Sequence, residues 1–264
     1  MWHIIKLILF FLAYQLAFSG IFTIGYMLYH HSFEYPNMTD KTFCNLTMIA
    51  QVLSSAAIIT HILAGKYLPP KRASRSSLSM GLISTVVVFM LSITCWVNYL
   101  NEWIELPDNL AQTFALLLNH PLGIISVVLL APISEELLFR GAIQGYLMRI
   151  LKKPQMAIIL SALIFGIIHG NPAQIPFACI TGIALGWIYY RSGNLILSMI
   201  MHFVNNGSAF VLYHLTNDPN ATMNETFGTT GAFIIAVAGI IISTICILFI
   251  RKKLIPMPVS WKKD

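Results

Sequence analysis

The sequence predicts an all-α fold: a polytopic membrane protein whose eight transmembrane helices form one integral domain over residues 1–264. Three observations predict it. Hydrophobic residues make up 57% of the chain and charged residues only 10%, against roughly 25% charged in an average soluble domain. Several windows of about 20 residues carry no charge, the length a helix needs to cross a hydrocarbon core of about 30 Å. Basic residues, finally, collect in alternate loops, as they do on the cytoplasmic side of a membrane.

The first apolar run, residues 4–29, is too long for a removable signal peptide and lacks its small-residue cleavage site, so it is expected to be a true span. Further spans are expected over 43–64, 78–100, 121–150, 155–169, 173–190, 195–215 and 229–250. The stretch from Trp103 to His120 is also apolar, but Pro107 and Asp108 interrupt it. Asn109 followed by Gln112 resembles a helix start, which predicts an interfacial helix leading into the fourth span. The fourth and fifth spans form a hairpin turning near Leu151 to Pro154, and Gly170, Asn171 and Pro172 end the fifth. Gly141 with Gly145, and Gly182 with Gly186, are small-xxx-small pairs that let neighbouring helices approach closely.

With the amino terminus inside, the inner segments hold Lys6, Lys66, Lys71, Arg72, Arg75, Arg149, Lys152, Lys153, Arg191, Arg251, Lys252, Lys253, Lys262 and Lys263, 14 of the 16 basic residues. The outer segments hold Glu34, Asp40, Glu102, Glu105, Asp108, Asp218 and Glu225, with Lys41 the one basic exception. This bias puts both termini in the cytoplasm and predicts a multi-pass protein of the cell membrane. The net charge of +6 therefore reports topology. Spread over every inner loop without interleaved aromatics, it argues against a nucleic-acid partner and leaves the lipid bilayer as the surrounding medium. Cys44, Cys95, Cys179 and Cys246 are scattered singly, with no spacing that implies a disulfide framework or a metal site.

One basic residue remains, Arg140, inside the fourth span with Glu135 and Glu136. Each charge at the bilayer centre costs on the order of 3 kcal/mol, so three together require a compensating structure or a function. Glu136 and Arg140 are four apart and can pair on one helix face. Glu135 is turned about 100° away and presents a second, unneutralised carboxylate. Taken alone, the glutamates also fit a structural salt-bridge network. The next span shifts the balance: His169 lies about as far past the hairpin turn as Glu135 lies before it, which puts the two at similar depth, and Phe165 shares its face. His202 and Asn206 share a face of the seventh span, where Asn205 and Ser208 add further polarity.

These residues resemble the CAAX prenyl endopeptidase and bacteriocin-processing (CPBP, or Abi) intramembrane proteases, whose pattern is EExxxR, FxxxH and HxxxN on successive helices of an eight-helix fold. Here the motifs read Glu135-Glu136-Leu-Leu-Phe-Arg140, Phe165-Gly-Ile-Ile-His169 and His202-Phe-Val-Asn-Asn206, within a motif-bearing core at 121–215. The resemblance implies a glutamate-dependent endopeptidase acting on a membrane-associated peptide or a lipidated protein tail. Glu135 would be general base on a water molecule that His169 helps to hold. His202 and Asn206 would donate to the oxyanion, at about 3 kcal/mol per donor in other hydrolases. Glu136 and Arg140 would support the helix face that aims Glu135.

Other intramembrane protease chemistries lack their residues. There is no HExxH and no GxSxG, and the aspartates Asp40, Asp108, Asp218 and Asp264 all fall outside the spans. The expected cofactor is none, with a zinc site built from Glu135, His169 and His202 as the variant. Two rivals come from other classes: a non-catalytic immunity or regulatory protein of the same fold, and a proton-coupled transporter, since buried Glu and His also build proton relays.

Overall fold

The computed structural model describes residues 2–37, 40–68, 78–104, 106–254 and 256, and every regular element among them is a helix. The inner-loop cations Lys71, Arg72 and Arg75, the terminal Lys262, Lys263 and Asp264, and Glu105 lie outside the described residues. In chain order the helices are α1 (Trp2–Tyr29), α2 (Lys41–Ala64), α3 (Met80–Glu102), α4 (Ala111–Leu118), α5 (Pro121–Leu151), α6 (Pro154–Ile168), α7 (Gln174–Ser192), α8 (Leu195–Thr216) and α9 (Met223–Lys253). Six of these, α1, α2, α3, α5, α8 and α9, are long and apolar enough to cross a membrane, so the chain is a polytopic membrane protein. Helices α6 and α7 occupy the stretches expected as spans at 155–169 and 173–190 but, at 15 and 19 residues, are not among these six, and α4 is the short helix expected before the fourth span.

Local chemistry sets the helix ends. Asp40 accepts from the Phe43 N–H at 2.8 Å and starts α2. That backbone donor holds the Asp40 carboxyl below its usual range. Ser79 caps α3 and Asn194 caps α8 in the same way. Thr222 and Glu225 form a reciprocal capping box at the start of α9. Pro121 and Pro154 occupy first helical positions, where their missing N–H costs nothing. Gly193 ends α7 at φ 66°, a conformation glycine adopts without a Cβ penalty. Helix α9 breaks at Gly228 (φ 71°, ψ 156°), so its apolar rod begins one residue on, where the hydropathy pattern begins.

Helix α5 is the axis of the molecule. It packs against α2 on one side and against α6, α7 and α8 on the others, while α1 packs on α2 and reaches α5 through Phe11 and Phe139, and α3 with α9 forms a pair behind α7 and α8. One buried cluster joins α1, α2, α5 and α6 through Leu7, Ile58, Leu138, Phe139 and Ala157. A second joins α3, α7, α8 and α9 through Val86, Met90, Leu185, Met201 and Ile250. Large apolar side chains on the outside, among them Leu16, Leu28, Ile234 and Ile245, are more than half exposed, as lipid-facing positions are.

Helix α5 is not a uniform α-helix. It widens to π-helix over Ile125–Leu130 and again over Glu136–Gln144, on either side of Ala131–Glu135. In the first stretch the Ala131 N–H bonds the Ser126 carbonyl five residues back. The next bond in that register would come from residue 132, which is a proline without an N–H. The Val127 carbonyl is thereby orphaned, and the Asn206 side-chain amide donates to it at 2.9 Å. In the second stretch, the Phe139 carbonyl accepts from the Ser161 hydroxyl at 2.9 Å.

Candidate active site

The second π stretch turns Glu136, Arg140 and Gln144 inward, and all three are fully buried. They face α7, whose Gly182 and Gly186 repeat the same spacing of four. Arg140 Nη2 donates to the Gly182 carbonyl at 3.2 Å and Gln144 Nε2 to the Gly186 carbonyl at 2.9 Å. The glycines make this reach possible: a Cβ at Gly186 would sit 2.5 Å from Gln144 Oε1, and one at Gly182 would sit 3.1 Å from Phe165. The small-residue pair on α7 is therefore a pair of backbone acceptors for two polar side chains of α5.

Arg140 and Glu136 pair as their spacing predicts, with Nη1 3.0 Å from Oε1. Phe165 lies under the guanidinium, 4.3 Å from ring centre to Cζ, a geometry that favours the cation over the ring face. The same ring meets His169 at 4.8 Å and His202 at 5.7 Å, edge to face in both cases, and Phe139 at 5.1 Å. Phe165 is the platform on which the polar residues of three helices rest, a role that a shared helix face with His169 did not reveal.

His202 bridges the two carboxylates. Its Nδ1 lies 2.9 Å from Glu136 Oε1 and its Nε2 3.7 Å from Glu135 Oε2. An ionised Glu136 only accepts, so Nδ1 carries a proton. The expected pairing of Glu136 with Arg140 is thus present and extended, with one oxygen serving both Arg140 and His202. Glu135 stands at the edge of this cluster, 18% exposed against 0% for Glu136, and lines a cleft with Phe11, Gln15, Gln51, Ser54, Ser55, Ile58, Ala131 and Ser134. The two adjacent acids therefore occupy different environments: one locked inside, one at an open wall.

The remaining two predicted residues sit nearby without touching Glu135 in a hydrogen bond. His169 caps α6, its Nδ1–H donating to the Phe165 carbonyl at 2.7 Å, so that in the neutral ring Nε2 keeps its lone pair. The turn that follows is anchored by Asn171, which is fully buried, donates to Asp108 Oδ1 at 2.8 Å and accepts from the Asn109 N–H at 3.1 Å. Asn206, one turn beyond His202, spends one amide hydrogen on Val127 and accepts from Asn205 at 3.1 Å, and Asn205 in turn accepts from Thr94 at 3.3 Å. Among the described residues, no three His, Cys, Asp or Glu side chains gather into a metal-ligand set.

Fold and site together define a helical membrane protein with a buried, self-neutralised Glu–Arg–His cluster and one carboxylate facing a cleft. Residues 117–208 match the family model of the type II CAAX prenyl endopeptidases, Rce1-like. The match begins in α4, ends in α8 and contains all three motifs, so the resemblance read from them holds over this segment. The family is one of membrane endopeptidases. Comparison with curated proteins and with solved structures gives no match.

Proposed function

We propose that the chain is an intramembrane endopeptidase that hydrolyses a peptide bond in a membrane-associated peptide or lipidated protein tail of the CAAX or bacteriocin-leader kind, with Glu135 as general base and no metal. The observation that carries this reading is the division between the two glutamates. Arg140 and His202 compensate Glu136 inside the bundle, while Glu135 lines a small cleft with room for a water molecule. His169, with Nδ1 committed to a carbonyl, offers Nε2 to the same water. His202, donating from Nε2 as an imidazolium whose Nδ1–H is held by Glu136, and the second amide hydrogen of Asn206 supply the oxyanion donors. Water adds to the scissile carbonyl as its proton passes to Glu135, and collapse of the tetrahedral intermediate returns that proton to the departing amine.

In the topology that supports this reading all eight long helices, α6 and α7 included, cross the membrane with both termini in the cytoplasm. Arg149, Lys152, Lys153, Arg191 and Arg251 then lie at inner ends, and Asp40, Asp108 and Asp218 at outer ones.

The test is cleavage of a quenched-fluorescent peptide library by the purified protein, with and without a strong chelator. Cleavage that survives chelation is the expected result. Activity lost to the chelator and restored by zinc would replace the metal-free mechanism. No cleavage of any peptide, free or prenylated, with a cellular role that survives Glu135→Gln, would replace the enzyme by a binding or regulatory protein.

A further inference from the structure

The cleft beside Glu135 holds two glutamines placed where a membrane helix rarely carries one. Gln15 is midway along α1 and Gln51 midway along α2, both half-buried. Neither side-chain amide makes a hydrogen bond to another described residue. Two serines of the cleft are engaged: Ser54 Oγ donates to the Ala50 carbonyl at 2.7 Å, and Ser134 Oγ to the Ala131 carbonyl at 3.1 Å.

Two other carboxamides, nearer the Glu–Arg–His cluster, donate to backbone carbonyls. Gln144 donates to Gly186, and Asn206 to Val127. A carboxamide left without a partner in a bilayer is costly, and packing that merely required bulk would be met by Leu or Met. Two unpaired amides lining the same cleft as Glu135 therefore point to a ligand that supplies the missing partners.

Resting on the endopeptidase reading above, we propose that Gln15 and Gln51 bind the backbone of an extended substrate peptide and lay its scissile bond against Glu135. A carboxamide offers one acceptor and two donors, which complements the N–H and C=O of a peptide unit. An extended strand presents these groups at its edges, the mode in which peptides are recognised by backbone pairing. Ser55, four residues after Gln51 and on the same face of α2, continues the polar wall. Because Gln15 comes from α1 and Gln51 from α2, the peptide enters where these two helices meet α5, parting the contact that Phe11 and Ile58 make there.

The experiment uses the full-length protein in nanodiscs with two readouts. Short benzophenone-bearing peptides of randomised sequence are photo-crosslinked and the attachment sites mapped; cleavage kinetics are then measured for Gln15→Leu, Gln51→Leu and the double variant. The expected result is crosslinking to α1 and α2 around Gln15 and Gln51, with each substitution raising KM about five- to ten-fold and leaving kcat within about three-fold. Thermal stability should stay equal or rise, because the leucine removes an unpaired amide; a structural role would lower it. Methylating the substrate amide that pairs with Gln51 should raise KM for the native chain and add little in Gln51→Leu.

Cleavage with unchanged KM in all variants and no crosslinks on α1 or α2 would overturn this proposal while leaving the endopeptidase standing. Crosslinks at both glutamines without cleavage would support the peptide site and remove the enzyme reading.

Discussion

Arg140→Met is expected to destabilise the protein more than any other single substitution at the site, by about 3–5 kcal/mol. The cause lies in what it leaves behind. Glu136 is fully buried, its Oε1 bonds His202 and its Oε2 has no hydrogen-bond partner, so without the guanidinium a carboxylate stays uncompensated in the middle of the bundle. Arg140→Met also frees the Gly182 carbonyl from its second donor and takes the cation off the Phe165 ring. The double variant Glu136→Gln/Arg140→Met removes both charges and should recover much of the loss. Tryptophan-fluorescence unfolding of the purified variants measures this; a single variant as stable as the native chain would mean that Glu136 is not ionised in the fold.

His202→Ala is expected to lower the rate of peptide hydrolysis by about 100-fold or more while costing less stability than Arg140→Met. Among the described residues, His202 is the one side chain with nitrogens within 4 Å of both carboxylates, and its Nε2 lies on the Glu135 side of the cluster. Removing it withdraws a donor from the reacting group, while Arg140 remains to compensate Glu136. A His202→Ala variant with near-native kcat and a large fall in melting temperature would make this histidine a packing residue. Steady-state kinetics and unfolding on the same preparation separate the two.

Much of this architecture is legible in the sequence because it follows from local rules. Hydropathy windows locate the long helices within a few residues. The breakers Gly170, Asn171 and Pro172 mark the end of α6. The pairing of Glu136 with Arg140 follows from a spacing of four, and the distinct environment of Glu135 from the helical turn between neighbours. The rest depends on register and on contacts between distant segments. The π widening of α5 has a trace in Pro132, a helix breaker inside an apolar span. That Asn206 would serve the carbonyl this proline orphans required the position of α8. His202 reaching Glu136 across 66 positions, and Gln144 reaching a glycine carbonyl, depend on the close approach of α7 and α8 to α5. Gln15 and Gln51 carry no motif, and only the packing of α1 and α2 beside α5 joins them to Glu135.

The central claim is that two adjacent glutamates have divided labour, Glu135 in chemistry and Glu136 in structure. Its most direct test is the rate at which purified Glu135→Gln, matched to the native chain in folding, cleaves a peptide that the native chain cleaves. The account predicts a fall of roughly a thousand-fold or more with an unchanged melting temperature. A Glu135→Gln enzyme that keeps native activity would contradict it and remove this carboxylate from the reaction.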